Sequence, residues 1–457
     1  MSANGTESGA LQLPKLQSET PNYNDTYDAI IVGAGLAGTA AALTMAREGL
    51  DVLMLERGPA PGTKNVFGGV LYTPTIRELV DIDSAPMERY IAEKRFSMLT
   101  SNGDETAVSM RPGAWRDEPH NDSYTVLRRR FDEWFAKQAV EAGATLITET
   151  TVTGLIRDGH KIVGVETDRP DGEIRAPVVV LAEGANSLVS EGADLKDRPE
   201  REEVAVSVKE VFKLDRETID DRFHLDGDAG AAYHYFGDGA VGEAVGGGFV
   251  YTNKRSVSVG VAYRIEDAAH GQTPEATLNA FESHPAVAPL IRGGRRIEYS
   301  AHVIPEGGAK AMPDLVHDGA VVVGDAAGLV LNNGVHLEGT NMAVESGYHA
   351  GKAIVAALAD DRSDEAALAA YPRDLEDSFV VQNLRHYDWF QRTIADDRQF
   401  LFEDLPRALA DAETEYFKMD RSSKDEHTDA ARDRLLDAAG GWFGAAKRAW
   451  RFRRMLS

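Results

Sequence analysis

The sequence predicts an α/β fold: a parallel sheet, an inserted antiparallel β region and a helical C-terminus. Three observations predict it. Residues 27–58 hold an apolar strand, a glycine turn, an alanine-rich helix and a second apolar strand ending in an acid. A further buried strand, Gly319–Val323, ends in Gly324-Asp325 close to 300 residues later. Between them, residues 201–305 change to alternating β patterning.

The first unit is the most informative. Ala29 to Val32 fits a strand buried on both faces. Gly33, Gly35 and Gly38 then form GxGxxG: the first for the tight turn, the second so that a pyrophosphate reaches the backbone, the third for close helix packing. The free amides of the helix start attract phosphate charge. The strand Val52 to Leu55 leads to Glu56, placed to accept from a ribose 2′-OH, with Arg57 beside it. An acid at that point disfavours a 2′-phosphate, and therefore NADP. The complete order of strand, glycines, helix, strand and acid makes this a dinucleotide site.

The distant Gly324-Asp325 selects the dinucleotide. A carboxylate at that strand end holds a ribityl hydroxyl, which a flavin has and NAD lacks, so the cofactor expected is FAD. Gly339-Thr340-Asn341 reads as a helix start whose amides suit the electron-rich edge of a reduced flavin. His336 and Glu338 nearby read equally well as an ordinary satisfied pair, and no catalytic acid or base is assigned. Residues 124–135 lead into a helix ending near Ala142-Gly143; of its three adjacent arginines, Arg128 is the one expected to neutralise the pyrophosphate. Ala144–Ile156 and Lys161–Glu166 read as strands on the adenine side, with Val152 at the cofactor and a turn near Asp158-Gly159. Val178–Leu181 is a further buried strand. Gly68-Gly69 are expected to approach the flavin ring closely. A second GxGxxG is lacking, so no separate pyridine-nucleotide domain is expected.

The expected organisation is a disordered leader (1–24), a first part of the FAD-binding domain (25–200), an antiparallel substrate- or quinone-facing domain (201–305), a second FAD part (306–360) and a helical region (361–457). Val204–Leu214 alternates, and 247–261 reads as a hairpin. The segment 441–456 sets five bases and four aromatics at the end of an acidic chain. As a helix it suits a membrane surface; docking on an acidic subunit or on the protein's own surface fits equally well.

Composition bounds the rest. At 457 residues, 43% hydrophobic, the chain is long enough for more than one lobe. Its formal charge of −25 opposes nucleic-acid binding and suits either a high-salt cytoplasm or an acidic partner-binding surface. No apolar run is long enough to span a bilayer, and the N-terminal residues lack a signal-peptide pattern, so a cytoplasmic location is expected. The 457 residues contain no cysteine, which excludes disulfides, catalytic thiols and a cysteine-ligated cluster within them. The twelve histidines show no metal-ligand spacing, and no metal is expected.

With these residues in view, the chain resembles the FixC branch of the electron-transfer-flavoprotein:quinone oxidoreductases, which is related to the geranylgeranyl reductases. The resemblance lies in residues 27–49, the LERGPAPGTKNVFGGVLY block (55–72), residues 124–144 and GDAAGLVLNNGVHLEGTNMA (324–343). It implies a glutathione-reductase-type FAD domain, electron-transfer flavoprotein partners (FixA and FixB), a ferredoxin-like FixX subunit and a quinone acceptor. It also implies that the isoalloxazine lies between the Lys64–Tyr72 loop and the Gly339-Thr340-Asn341 turn. The missing cysteines fit a chain whose iron–sulfur cluster sits on a separate subunit. Two other readings stay open: a prenyl-lipid (geranylgeranyl) reductase, and a non-catalytic FAD-holding assembly subunit.

Overall fold

A computed structural model describes residues 27–63, 69–333 and 337–453. The leader, residues 64–68 (with Gly68) and His336 lie outside the described residues.

Two sheets organise the chain. The first has six strands in the order Val316–His317, Ala320–Val322, Val178–Leu181, Ala29–Val32, Val52–Leu55 and Thr145–Ile147. All neighbours are parallel except the first pair. Ala29–Val32, Val52–Leu55 and Val178–Leu181 are buried along their whole length, which is why each reads as an unbroken apolar run. Helix Leu36–Arg47 packs between helix Arg128–Glu141 and the long helix Thr340–Ala359. Its alanines and the glycines opposite allow this: a Cβ on Gly347 would run into the Ala37 carbonyl, and one on Gly351 would come within 3.0 Å of the Ala41 carbonyl. Strands Val152–Asp158, Lys161–Thr167 and Glu173–Arg175 form a small antiparallel sheet whose Ile162, Val165 and Ile174 join the same core.

The second sheet has nine strands. Its order is Arg295–Pro305, Val204–Lys213, Ser256–Arg264, Gly246–Thr252, Ala229–Phe236, Met87–Leu99, Ser123–Val126 and Val70–Tyr72, with Glu105–Met110 pairing to Met87–Leu99. This corrects the expected division of the chain. Residues 70–126 were assigned to the first FAD part, yet four of their strands complete the sheet begun by residues 204–305. The join is the parallel pairing of Ala229–Phe236 with Met87–Leu99. The alternating, partly polar pattern of 87–110 was the available sign of it.

Side chains alternate between the sheet's two faces. Val208, Tyr233, Tyr235, Val250 and Val259 pack beneath helix Pro274–Ser283 through Phe281, and beneath helix Arg216–Phe223 through Ile219 and Phe223. Phe249, Tyr251, Ala205 and Ile304 lie on the opposite face. On helix Pro274–Ser283, burial pushes the Glu282 carboxyl up to about 7, helped by Glu210 and opposed by Arg296. Its Oε1 is buried without a hydrogen-bond partner among the described residues. A carboxyl whose folded pKa lies above its unfolded value loses stability as pH rises between the two, here from about 4.5 to about 7. Glu282→Gln is therefore expected to raise Tm at pH 8 and to change it little at pH 4; an equal effect at both would refute this account.

The C-terminal part is helical. Its last described helix, Gly441–Phe452, turns Arg448 and Arg451 inward onto Asp397, with the Arg448 guanidinium 4.1 Å from the centre of the Phe400 ring. Trp442, Phe443 and Trp450 remain 70%, 94% and 63% exposed on the outer side.

Candidate FAD site

The carboxyl ends of the parallel strands open into a cavity of about 240 Å³ that runs to the far face of the nine-stranded sheet. Ten of the fourteen residues expected at the cofactor line it: Gly33, Gly35, Glu56, Arg57, Gly69, Arg128, Val152, Asp325, Gly339 and Thr340. Gly38, Gly324 and Asn341 lie behind the wall, and Gly68 is outside the described residues.

The wall is built by local geometry. Gly33 turns at φ +102°, and a Cβ there would meet the Ala182 carbonyl oxygen at 2.5 Å. A Cβ at Gly38 would collide with the Gly33 carbonyl, so the helix can begin directly beneath the turn only with glycine at that position. Apart from its own chain neighbours, no atom of the described residues lies within 4 Å of the place a Cβ on Gly35 would take. This is open space on the cavity side, as close approach of a phosphate requires.

Glu56 is buried and accepts from the Ala34 amide (3.2 Å) and the Gly58 amide (2.7 Å). Burial raises its pKa, and the two amides oppose that rise. Each carboxylate oxygen keeps a lone pair for a ligand hydroxyl. Asp325 has no hydrogen bond to its carboxylate among the described residues. Burial pushes it upward against the pull of His302, Arg128 and Lys196. A half-buried acceptor of this kind has room for donors, and sugar hydroxyls are donors.

Arg128, expected to neutralise the pyrophosphate, lines the cavity and is also paired within the protein. It grips Asp132, one helical turn on, through Nε–Oδ1 at 2.6 Å and Nη2–Oδ2 at 2.8 Å. Burial alone would lower its pKa, but the Asp132 charge and hydrogen bonds hold the guanidinium firmly protonated. Arg128 also feels Asp325, so its positive field reaches the cavity. The Asn341 side chain braces the turn, its Nδ2 donating to Glu338 Oε2 at 2.7 Å, while Gly339 and Thr340 line the cavity.

Sequence reading missed His302 and Tyr251. Both line the cavity, from strands of the nine-stranded sheet. His302 Nε2 is buried with no partner among the described residues, and burial lowers its pKa. Tyr251 presses its ring against Gly69, where a Cβ would overlap it. No motif marks either residue; only the sheet register brings them over the turn. Glu183, at the end of strand Val178–Leu181, also lines the wall, held by the Val189 and Ser190 amides at 2.7 and 2.9 Å.

Comparison with known proteins agrees with this geometry. Residues 28–205 match the family model described as FAD dependent oxidoreductase. Residues 204–304 match that described as ETF-QO, ubiquinone-binding, and residues 392–457 the ETF-QO/FixC family C-terminal domain. Protein FixC of Azorhizobium caulinodans is 43% identical over 440 residues, covering 94% of this chain and 99% of that protein. The chain belongs to the FixC family.

Other relatives of this FixC-family chain include the probable electron transfer flavoprotein-quinone oxidoreductase YdiS of Escherichia coli, 41% identical over 87% of this chain and 92% of its own length. Among solved structures, a geranylgeranyl bacteriochlorophyll reductase-like protein of Thermoplasma acidophilum superposes with a TM-score of 0.69 at 20% identity. It covers 93% of this chain and 98% of its own. The myxobacterial FAD-dependent halogenase CndH gives 0.58 at 18%, covering 90% and 97%. At such identities these two show a shared fold alone. The FixC-family chain is an FAD-dependent oxidoreductase, and its cavity fits the cofactor: an open glycine turn suits the pyrophosphate, and one buried and one half-buried carboxylate suit sugar hydroxyls.

Proposed function

We propose that this chain is the FAD subunit that receives electrons from an electron-transfer flavoprotein of FixA/FixB type, by way of a ferredoxin-like FixX partner, and passes them to a quinone. The supporting observation is continuity. The cavity that begins at Gly33 ends against Tyr251, His302 and Ile304, which belong to the segment matched by the ubiquinone-binding model. A flavin lying along it would present its ring to that sheet.

In this reading Gly33, Gly35 and Gly38 hold the pyrophosphate at the helix start, Glu56 takes the adenosine ribose and Asp325 the ribityl chain. Val152 and Arg57 flank the adenine end. The Arg128 field offsets phosphate charge, and the amides after Gly339 face the ring. Bound FAD supplies the redox chemistry, accepting electrons from one partner and yielding them to another. The protein's residues orient the cofactor and exclude water around it.

Membrane proximity accompanies a quinone acceptor. Among the described residues no helix is long and apolar enough to cross a membrane. The exposed Trp442, Phe443 and Trp450 support peripheral contact of a cytoplasmic protein with the inner face of the membrane.

The decisive measurement uses the purified chain with its bound flavin. One FAD per chain should be released on denaturation, and flavin reduced by dithionite should be reoxidised without oxygen by a short-chain ubiquinone. Reoxidation by a geranylgeranyl lipid with loss of a double bond would replace this reading with a prenyl reductase. Indifference to both would leave an assembly role.

A further inference from the structure

Behind the Tyr251 end of the cavity lies a cation that the fold does not explain. Lys94 sits in the long strand Met87–Leu99 and is only 5% exposed. Its cross-strand neighbour is Ala232, which in turn pairs with Tyr251. The three therefore share the sheet face that turns toward the cofactor. Its Nζ lies 5.7 Å from the centre of the Tyr72 ring and 6.0 Å from that of Trp115. Among the described residues it makes no hydrogen bond, and no carboxylate comes within ion-pair distance.

The contrast with Lys209 is informative. That lysine is equally buried in the same sheet but meets Glu298 at 3.2 Å. A largely buried ammonium is costly unless opposite charge or hydrogen bonds offset its lost hydration, and aromatic faces offset that loss only in part. A position of this kind persists where the charge is used.

The surroundings are aromatic and join the Tyr251 end of the cavity. Tyr251 stacks on Phe249 with centroids 4.8 Å apart, and His234 meets Tyr251 edge-on at 5.6 Å. Tyr72 adds a further ring. Glu338, one residue before the Gly339 turn, is the acidic group that acts on both Lys94 and Tyr72.

We propose that Lys94 binds and protonates a quinone carbonyl oxygen, with Tyr72, Tyr251 and Trp115 framing the quinone ring. This rests on the quinone reading above and assigns that reading a proton donor. Reduction of the quinone needs two electrons, from the reduced flavin, and two protons. As electrons arrive, the carbonyl C=O π bond becomes a C–O single bond and negative charge builds on oxygen. One Lys94 N–H bond breaks and an O–H bond forms; the neutral amine recovers its proton from solvent water. The second proton also comes from solvent. Burial lowers the lysine's pKa while Glu338 raises it, so the ammonium loses its proton at a lower pH than an exposed lysine. Turnover should fall on that alkaline limb.

The test compares wild type, Lys94→Met and Lys94→Arg as FAD-loaded proteins, reduced by dithionite and mixed anaerobically with a short-chain ubiquinone over a pH series. Lys94→Met should keep its FAD and its reduction by dithionite, while reoxidation slows about 100-fold. Lys94→Arg should retain part of the rate but lose the alkaline decline, since arginine does not titrate there. Lys94→Met reoxidised as fast as wild type, with the same pH profile, overturns the proposal and leaves the quinone reading intact. Should Lys94→Met fail to load FAD, an unchanged alkaline limb in Lys94→Arg overturns it instead. Wild type that quinone cannot reoxidise removes both.

Discussion

Gly33→Val is expected to yield protein without FAD. Two penalties fall at one atom. The residue turns at φ +102°, which a β-branched side chain does not tolerate, and its Cβ would sit 2.5 Å from the Ala182 carbonyl oxygen. That carbonyl is part of the adjoining parallel strand's exit and cannot swing aside. The turn must open, and with it the amides that face the pyrophosphate. A loss of about 3 kcal/mol at this turn corresponds to an affinity loss of about 100-fold or more. Visible absorption of the purified chain and FAD released on denaturation read the result. Gly35→Ala is the control: beyond its chain neighbours, its Cβ meets no atom of the described residues within 4 Å. It should fold with normal Tm yet hold FAD more weakly, because the methyl enters the cavity. Equal FAD content in wild type and Gly33→Val would refute the assignment of the turn.

Arg128→Met is expected to be the most destabilising single change at the cavity wall. Asp132 is 1% exposed and both its oxygens face the guanidinium at 2.6 and 2.8 Å. Removing one partner of such a pair costs about 3–5 kcal/mol, because the other charge is left in the core. With Arg128 gone, burial raises the Asp132 pKa unopposed. A raised carboxyl pKa means that stability is complete below the unfolded value and is lost as pH rises through the folded one. The deficit of Arg128→Met should therefore shrink on acidification and be largest at neutral and alkaline pH. Denaturant unfolding at pH 5 and pH 8 measures it. Adding Asp132→Leu should restore most of the stability and none of the FAD affinity, which separates the structural from the cofactor contribution of Arg128. A pH-independent deficit would refute the account.

These residues also mark how far the sequence could be read. The glycine turn, Glu56 and Gly324-Asp325 were legible because local backbone geometry demands particular residue types at fixed spacing. The strands Ala29–Val32 and Val178–Leu181 were legible because burial on both faces leaves an unbroken apolar run. Helix Arg128–Glu141 was readable as a helix, but the partner of Arg128 was not singled out, since an arginine four residues before an aspartate is ordinary on any helix surface. His302, Tyr251 and Lys94 were out of reach for another reason. Each owes its place to cross-strand register between segments far apart in the chain, and a strand's alternation does not say which face meets the cofactor. The same cause hid the membership of residues 70–126 in the second sheet.

That interleaving sets an order on biosynthesis. Strands Val70–Tyr72, Met87–Leu99, Glu105–Met110 and Ser123–Val126 leave the ribosome well before their partner Ala229–Phe236, and the parallel sheet lacks Ala320–Val322 until later still. Neither half of the nascent chain can close a core alone, so unpaired edges stay open to solvent until residue 322 has emerged. The cofactor cavity is accordingly incomplete until that segment has emerged, and a ribosome stalled before that point would display an aggregation-prone intermediate.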